Sequence, residues 1–184
     1  MAELDIDPLA SSVRVRTRAR GMLAAFAHDL ELRSIEVRGH AVADRETWSA
    51  ELAVPVASLR VAGTLHGDRL DASALSPGDR SEIERKVREE VLSVVEVTVR
   101  AQGTSRARAE LTATVQRSAP ASATLRAEAG DGGVLVVTGR TELSLKALGV
   151  REVKGPLGAF KLADSVEVLF ELTLRPAATE AGAG

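Results

Sequence analysis

Apolar and polar residues alternate along most of this chain with a period of two, the pattern of strands buried on one face. Val13, Val15 and Thr17 alternate with Arg14 and Arg16. Leu30 and Leu32 are followed by Ile35 and Val37, so the phase slips near Arg33 and Ser34, as a β-bulge would cause. Trp48, Ala50, Leu52, Val54 and Val56 share a face, and Pro55 on the opposite face predicts an edge or a bulge there. Val95, Val97 and Val99 form the next set, followed by Ala109, Leu111, Ala113 and Val115. Ala121, Ala123, Leu125 and Ala127 come after, then Leu135, Val137, Gly139, Thr141, Leu143 and Leu145. Val166, Val168, Phe170, Leu172 and Leu174 complete eight candidate strands. Strands with one dry and one wet face belong to antiparallel sheet.

One segment breaks the pattern. After the turn Ser76-Pro77-Gly78, Asp79 and Glu82 fit an N-cap with its box partner, and Ile83, Val87 and Val91 recur every four residues. Glu82 with Lys86 and Glu84 with Arg88 add i,i+4 pairs. The spacing predicts a single helix at about residues 79–94, between the third and fourth strands. It either caps one end or side of the sheet or simply fills a crossover.

Two connections are apolar, although connections usually run over the wet surface. The stretch 21–32 opens with Gly21, runs through Phe26 and closes on His28 and Asp29. The stretch 147–163 carries Leu148, Val150, Val153, Leu157 and Phe160 without a sustained period. In a barrel, both would either line the mouth or pack together and close that end.

Eight such strands hide their edges by closing into a barrel or by packing as two sheets. Several segments run ten or more residues, beyond the usual mode of about 5–6, which favours a barrel with a dry interior. Ala109, Ala113, Ala121, Ala123 and Ala127 cluster on neighbouring strands. Small residues on one wall either receive large ones from opposite or leave room for a ligand. The few aromatics favour room; the alternative is a lumen filled by Leu, Val and Trp48.

At 184 residues the chain is expected to form one domain. Residues 12–175 would be the barrel, 1–11 an N-terminal extension and 176–184 a disordered Ala/Gly-rich tail. A net charge of −2 gives no electrostatic footprint for nucleic acid. With no cysteine, disulfides and thiol chemistry are excluded. Aromatics make up 2% of the chain, too few for base-stacking or sugar platforms. No basic flank with an apolar core opens the chain and no run reaches the roughly 18 apolar residues of a span. A cytoplasmic protein without stable membrane insertion is expected, or a periplasmic one if a leader was removed.

Candidate chemistry is sparse. His28 and Asp29 are adjacent, so on an extended backbone they face opposite ways. His28 reads first as a hydrogen-bonded structural histidine and His40 as a surface residue. His66, Asp68 and Asp71 have ligand-type side chains but no second histidine at metal spacing, so they read as a solvated turn. There is no Gly-x-Ser-x-Gly elbow, and Asp131-Gly132-Gly133 is hairpin chemistry. No catalytic residue, metal or cofactor is expected.

Several of these features together resemble the YceI-like family of lipocalin-like barrels. They are an opening strand leading through an apolar turn to His28-Asp29-Leu30, and a strand ending in Val56-Ala57-Ser58-Leu59 before a loop. The helical run from Asp79 to Leu92 and a last strand following Leu162-Ala163-Asp164 complete the set. The resemblance spans roughly Ser12 to Leu174. It implies an all-β, eight-stranded antiparallel barrel whose apolar lumen holds an isoprenoid or acyl chain. Many members are exported, and Val94-Val95 stands where the family usually has Tyr-Pro, so contacts of that tyrosine are not carried over. The expected activity is non-catalytic binding of an elongated apolar ligand. Phe26, His28, Leu30, Trp48, Leu52, Val54, Val97, Val99, Leu111, Leu125, Leu143, Phe160 and Phe170 are the candidate ligand contacts. The alternative is a packed barrel acting as an interaction or stress-related scaffold, with a homodimer left open in either case.

Overall fold

A computed structural model describes residues 1–20, 28–154 and 161–177. The chain begins with β1 (Ala2–Ile6) and β2 (Ser12–Thr17), two halves of one bent wall strand, and then the short β3 (Ala19–Arg20). The second wall strand is likewise β4 (Asp29–Ser34) and β5 (Arg38–Ala43). The third is β6 (Trp48–Pro55) and β7 (Leu59–His66), joined by one tight turn at Val56–Ser58 and followed by β8 (Arg69–Asp71). Helix α1 (Pro77–Lys86) continues into a wider π-helical turn, Val87–Leu92. The remaining strands are β9 (Glu96–Gly103), β10 (Arg108–Thr114), β11 (Ser118–Ala129), β12 (Leu135–Ser144), β13 (Lys161–Leu162) and β14 (Ser165–Pro176).

Antiparallel pairing runs β1-β5-β6-β9-β10-β11-β12-β14 and returns to β1, which closes an eight-stranded barrel. β14 is long enough to hold both halves of the first strand on one edge. It pairs with β2 through Glu167 to Glu171 and with β1 through Leu174 to Pro176. From β2 the sheet branches to β4, β7 and β8. Toward that end β7 therefore leaves β9: beyond Pro55 the last link is Val56 N–H to the Val95 carbonyl, 2.9 Å. Pro55 marks the place because it has no N–H to extend the ladder.

The helix covers the edge this divergence exposes. Arg80 donates to the carbonyls of Val61 (2.8 Å) and Ala62 (3.2 Å), and Glu84 accepts from Val61 N–H at 2.9 Å. Two side chains thus stand in for a missing strand. The far end of the helix is tied to the β10–β11 hairpin by Gln116, which donates to the Leu92 carbonyl. Its N-cap is Ser76, with Asp79 as the box partner, not Asp79 with Glu82 as the spacing predicted. Pro77 at the first helical position costs no hydrogen bond there.

Other expectations also change. Residues 1–11 are not an appendage, because Ala2–Ile6 is a barrel strand and Ile6 is buried between β5 and β14. The bulge lies at Glu31 and Leu32 against β7, slightly ahead of the predicted slip. Ser34 is fully buried, sharing a 2.6 Å hydrogen bond with the Ser58 hydroxyl, while Ile35 turns out to solvent. Val95 is exposed too, since β9 begins only at Glu96. The tail expected from residue 176 starts later, because Pro176 ends β14 opposite Leu4 and Ala177 N–H donates to the Glu3 carbonyl at 2.9 Å; residues 178–184 lie outside the described residues.

Candidate functional site

The inward faces of the strands enclose a cavity of about 760 Å³. Its wall follows from the period of two: every second residue of a barrel strand points inward. Trp48, Leu52 and Val54 from β6 line it beside Val97 and Val99 from β9, which are their register neighbours. Leu111, Leu125, Leu143 and Phe170 bring the wall round to β14, and Leu30 and His28 stand at the β4 end. Phe26 and Phe160 lie outside the described residues. The structure therefore brings the described members of the predicted set to one cavity.

Small residues keep it open. Ala50, Ala101, Ala109, Ala113 and Ala127 line the cavity where larger side chains would fill it. Ala109 and Ala113 are nearly inaccessible, being backed by Ala123 and Ala119 across the β10–β11 ladder. Two aromatics are fixed by glycines. Phe170 is paired in register with Gly139, and a Cβ there would collide with its ring. Trp48 packs on Gly103 and donates from Nε1 to the Ser105 carbonyl at 2.9 Å. On the helix, the predicted stripe of Ile83, Val87 and Val91 faces the same cavity and forms its wall where β7 and β9 part.

The two connections at the helix end are joined. β3 pairs with β13, matching Lys161 with Arg20 and Leu162 with Ala19. Ala163 N–H donates to the Arg18 carbonyl at 2.7 Å and Leu162 N–H to the Val153 carbonyl at 2.9 Å. Beneath this flap, Leu148 and Val150 are buried against Val91, Leu92 and Leu143. Asp164 anchors its base by accepting from the Ser144 hydroxyl and from Lys146 N–H, both at 2.7 Å. These bonds hold the Asp164 carboxyl below the usual carboxylate range. Ammonium groups of Lys161 and Lys154 lower the pKa of Glu152 in the same way.

His28 and Asp29 diverge as the alternation predicts. His28 faces the cavity, whereas Asp29 accepts from Ala19 N–H at 2.7 Å and from Arg18 at 3.1 Å. His40 is exposed. Asp68 is turned toward Arg18 and Arg16, and Asp71 is bonded to the hydroxyl and N–H of Ser73. His66, Asp68 and Asp71 do not converge, and among the described residues there is no metal-holding group. Outside the barrel, Arg16 donates to the buried carboxylate of Glu31 at 2.8 Å, which raises its own pKa. Among the described residues the buried Thr64 hydroxyl has no hydrogen-bond partner.

Sequence reasoning missed the charged groups at the ends of the cavity. Lys86, Lys154 and Lys161 line it near the flap, and Asp44, Arg45, Glu46 and Arg106 line the opposite end. They come from turns, a helix surface and the two-residue strand β13, where no period-two signal exists.

A closed antiparallel barrel with an apolar lumen and a helix in its wall defines a lipocalin-like β-barrel fold. No family model matches the sequence, and no curated protein matches it. Among solved structures, the crystal structure of BcnA from Burkholderia cenocepacia shares the fold with a TM-score of 0.60. That match covers 95% of this chain and 100% of the other at 16% sequence identity, so the likeness is one of fold. Among the described residues no helix is long and apolar enough to cross a membrane.

Proposed function

We propose that this protein is a non-catalytic carrier, YceI-like in type, that holds an elongated apolar ligand such as a polyprenyl or fatty-acyl chain in its lumen. The observation that carries this reading is the cavity itself. At about 760 Å³ it lies within the roughly 300–1,000 Å³ of ligand pockets, and a packed scaffold barrel would have filled it. Each CH₂ moved from water into such a wall contributes about 0.8 kcal/mol, so a long chain needs few polar contacts. His28 and the flap-end lysines are the groups placed to meet a polar head. Burial of the chain is the mechanism this reading requires.

The test is competition for the lumen. An environment-sensitive apolar dye should bind saturably and be displaced by a polyprenyl or long-chain acyl probe, with a change in emission from Trp48, the sole tryptophan. A dye that does not bind, or that no such chain displaces, would refute the reading.

A further inference from the structure

The wall of the lumen is built in two ways. Most neighbouring strands are zipped along their length, as β12 and β14 are from Leu135 opposite Leu174 to Ser144 opposite Ser165. Among the described residues no such ladder joins β7 to β9, and beyond the Val56–Val95 link the helix fills the interval. Leu75, just ahead of the helix, and Ile83, Val87 and Val91 on it face the lumen there. If the helix moves aside, the lumen opens without the loss of any strand pairing.

The two halves of the helix are held differently. Val91 and Leu92 pack on the buried Leu148 and Val150, and Gln116 donates to the Leu92 carbonyl at 3.2 Å. The first half, α1, buries no residue fully, and Ile83 is only half-buried against the cavity. Its attachment to β7 is polar. Arg80 donates to the Val61 and Ala62 carbonyls, Glu84 accepts from Val61 N–H, and Arg60 stands 3.9 Å from Glu84. Water can replace each of these partners at a strand edge, so undoing them costs far less than opening a ladder. Between the halves the helix changes from α to π at Val87. Such a change inside a continuous helix frequently marks a functional site, and here it falls where the firmly packed half begins.

We propose that α1 is the gate of the lumen. It swings off the edge of β7 about the π-helical turn and lets an elongated apolar chain pass sideways between β7 and β9. Arg80 and Glu84 are its latch. The gate stands on the parted strands and the uneven attachment of the helix; that a prenyl or acyl chain passes through it rests on the carrier reading above.

The chain has no cysteine, so the gate can be locked by one introduced cross-link. In the double variant Arg60→Cys with Glu84→Cys, a cleavable bismaleimide joins β7 to α1 at positions that do not line the cavity. Stopped-flow mixing with the apolar dye reads entry, and dilution of the complex reads release. Both rates should be at least about tenfold slower with the link closed and recover on cleavage, with the equilibrium affinity unchanged. The same link across the exposed pair Glu51 and Arg100, on strands already zipped together, should leave both rates as in the parent. Glu84→Gln, which weakens the latch but keeps its shape, should speed entry and release together. Exchange that ignores the α1 link, or that the control link slows equally, would overturn the gate. A dye whose exchange the link slows, but which no prenyl or acyl chain displaces, would overturn the carrier reading alone. A dye that never binds would overturn both.

Discussion

Arg16 reaches across the outside of the barrel from β2 to a carboxylate on β4 that water scarcely touches: the Glu31 side chain is 4% exposed. Glu167 and Asp68, each 3.6 Å from the same guanidinium, complete its surroundings. Removing Arg16 leaves a buried charge without its partner, a change worth about 3 kcal/mol. Arg16→Ala should therefore lower stability by about that amount in urea unfolding, whereas Arg100→Ala, whose partner Glu51 is well exposed, should change it by less than about 1 kcal/mol. Inside the barrel the expectation reverses. A small-to-large change in a packed core costs about 1–3 kcal/mol, but Ala101 faces open space. Ala101→Phe should shift stability by less than about 1 kcal/mol while weakening dye binding at least about tenfold. A large loss of stability instead would mean that the lumen is already full.

The helix acts as a surrogate strand for the edge of β7, and that is where its main contribution lies. Arg80→Ala would strip the carbonyls of Val61 and Ala62 of a charged donor, costing about 2 kcal/mol and leaving an edge open to pairing with another copy. Faster aggregation, read by light scattering, should accompany the lower unfolding midpoint. At the flap, Asp164 has a lowered pKa, so its contribution is complete above the ordinary carboxylate range and is lost as pH falls through the lowered value. The protection of Lys146 N–H against hydrogen exchange, corrected for intrinsic rate, should stay constant from about pH 8 to 5 and fall only below about pH 4. A loss beginning near neutrality would show that another group holds the flap.

Elements with four or more alternating positions, β6, β10, β11, β12 and β14, were legible in the sequence because one period governs a long face. β1 offers only Leu4 and Ile6 before Pro8, and the β3–β13 ladder has two residues a side, so neither produces a readable period. Ser34 and Ile35 were misassigned because a buried hydroxyl pair makes the polar residue the inward one. The lumen-facing residues followed from alternation. The cations beside the cavity did not, since turns bring them together only in three dimensions.

As a whole, the molecule is a barrel closed by eight strands whose third wall strand splits away, with a helix seated in the gap and an apolar lumen inside. The account turns on whether that lumen takes up a chain. Native mass spectrometry of the protein after incubation with a long-chain fatty acid or a polyprenol, alongside Ala101→Phe, measures this most directly. One chain per protein should be retained by the parent and lost or greatly reduced in the variant. A parent spectrum of bare protein under conditions that preserve the fold, together with solvent extraction that recovers no lipid, would contradict it.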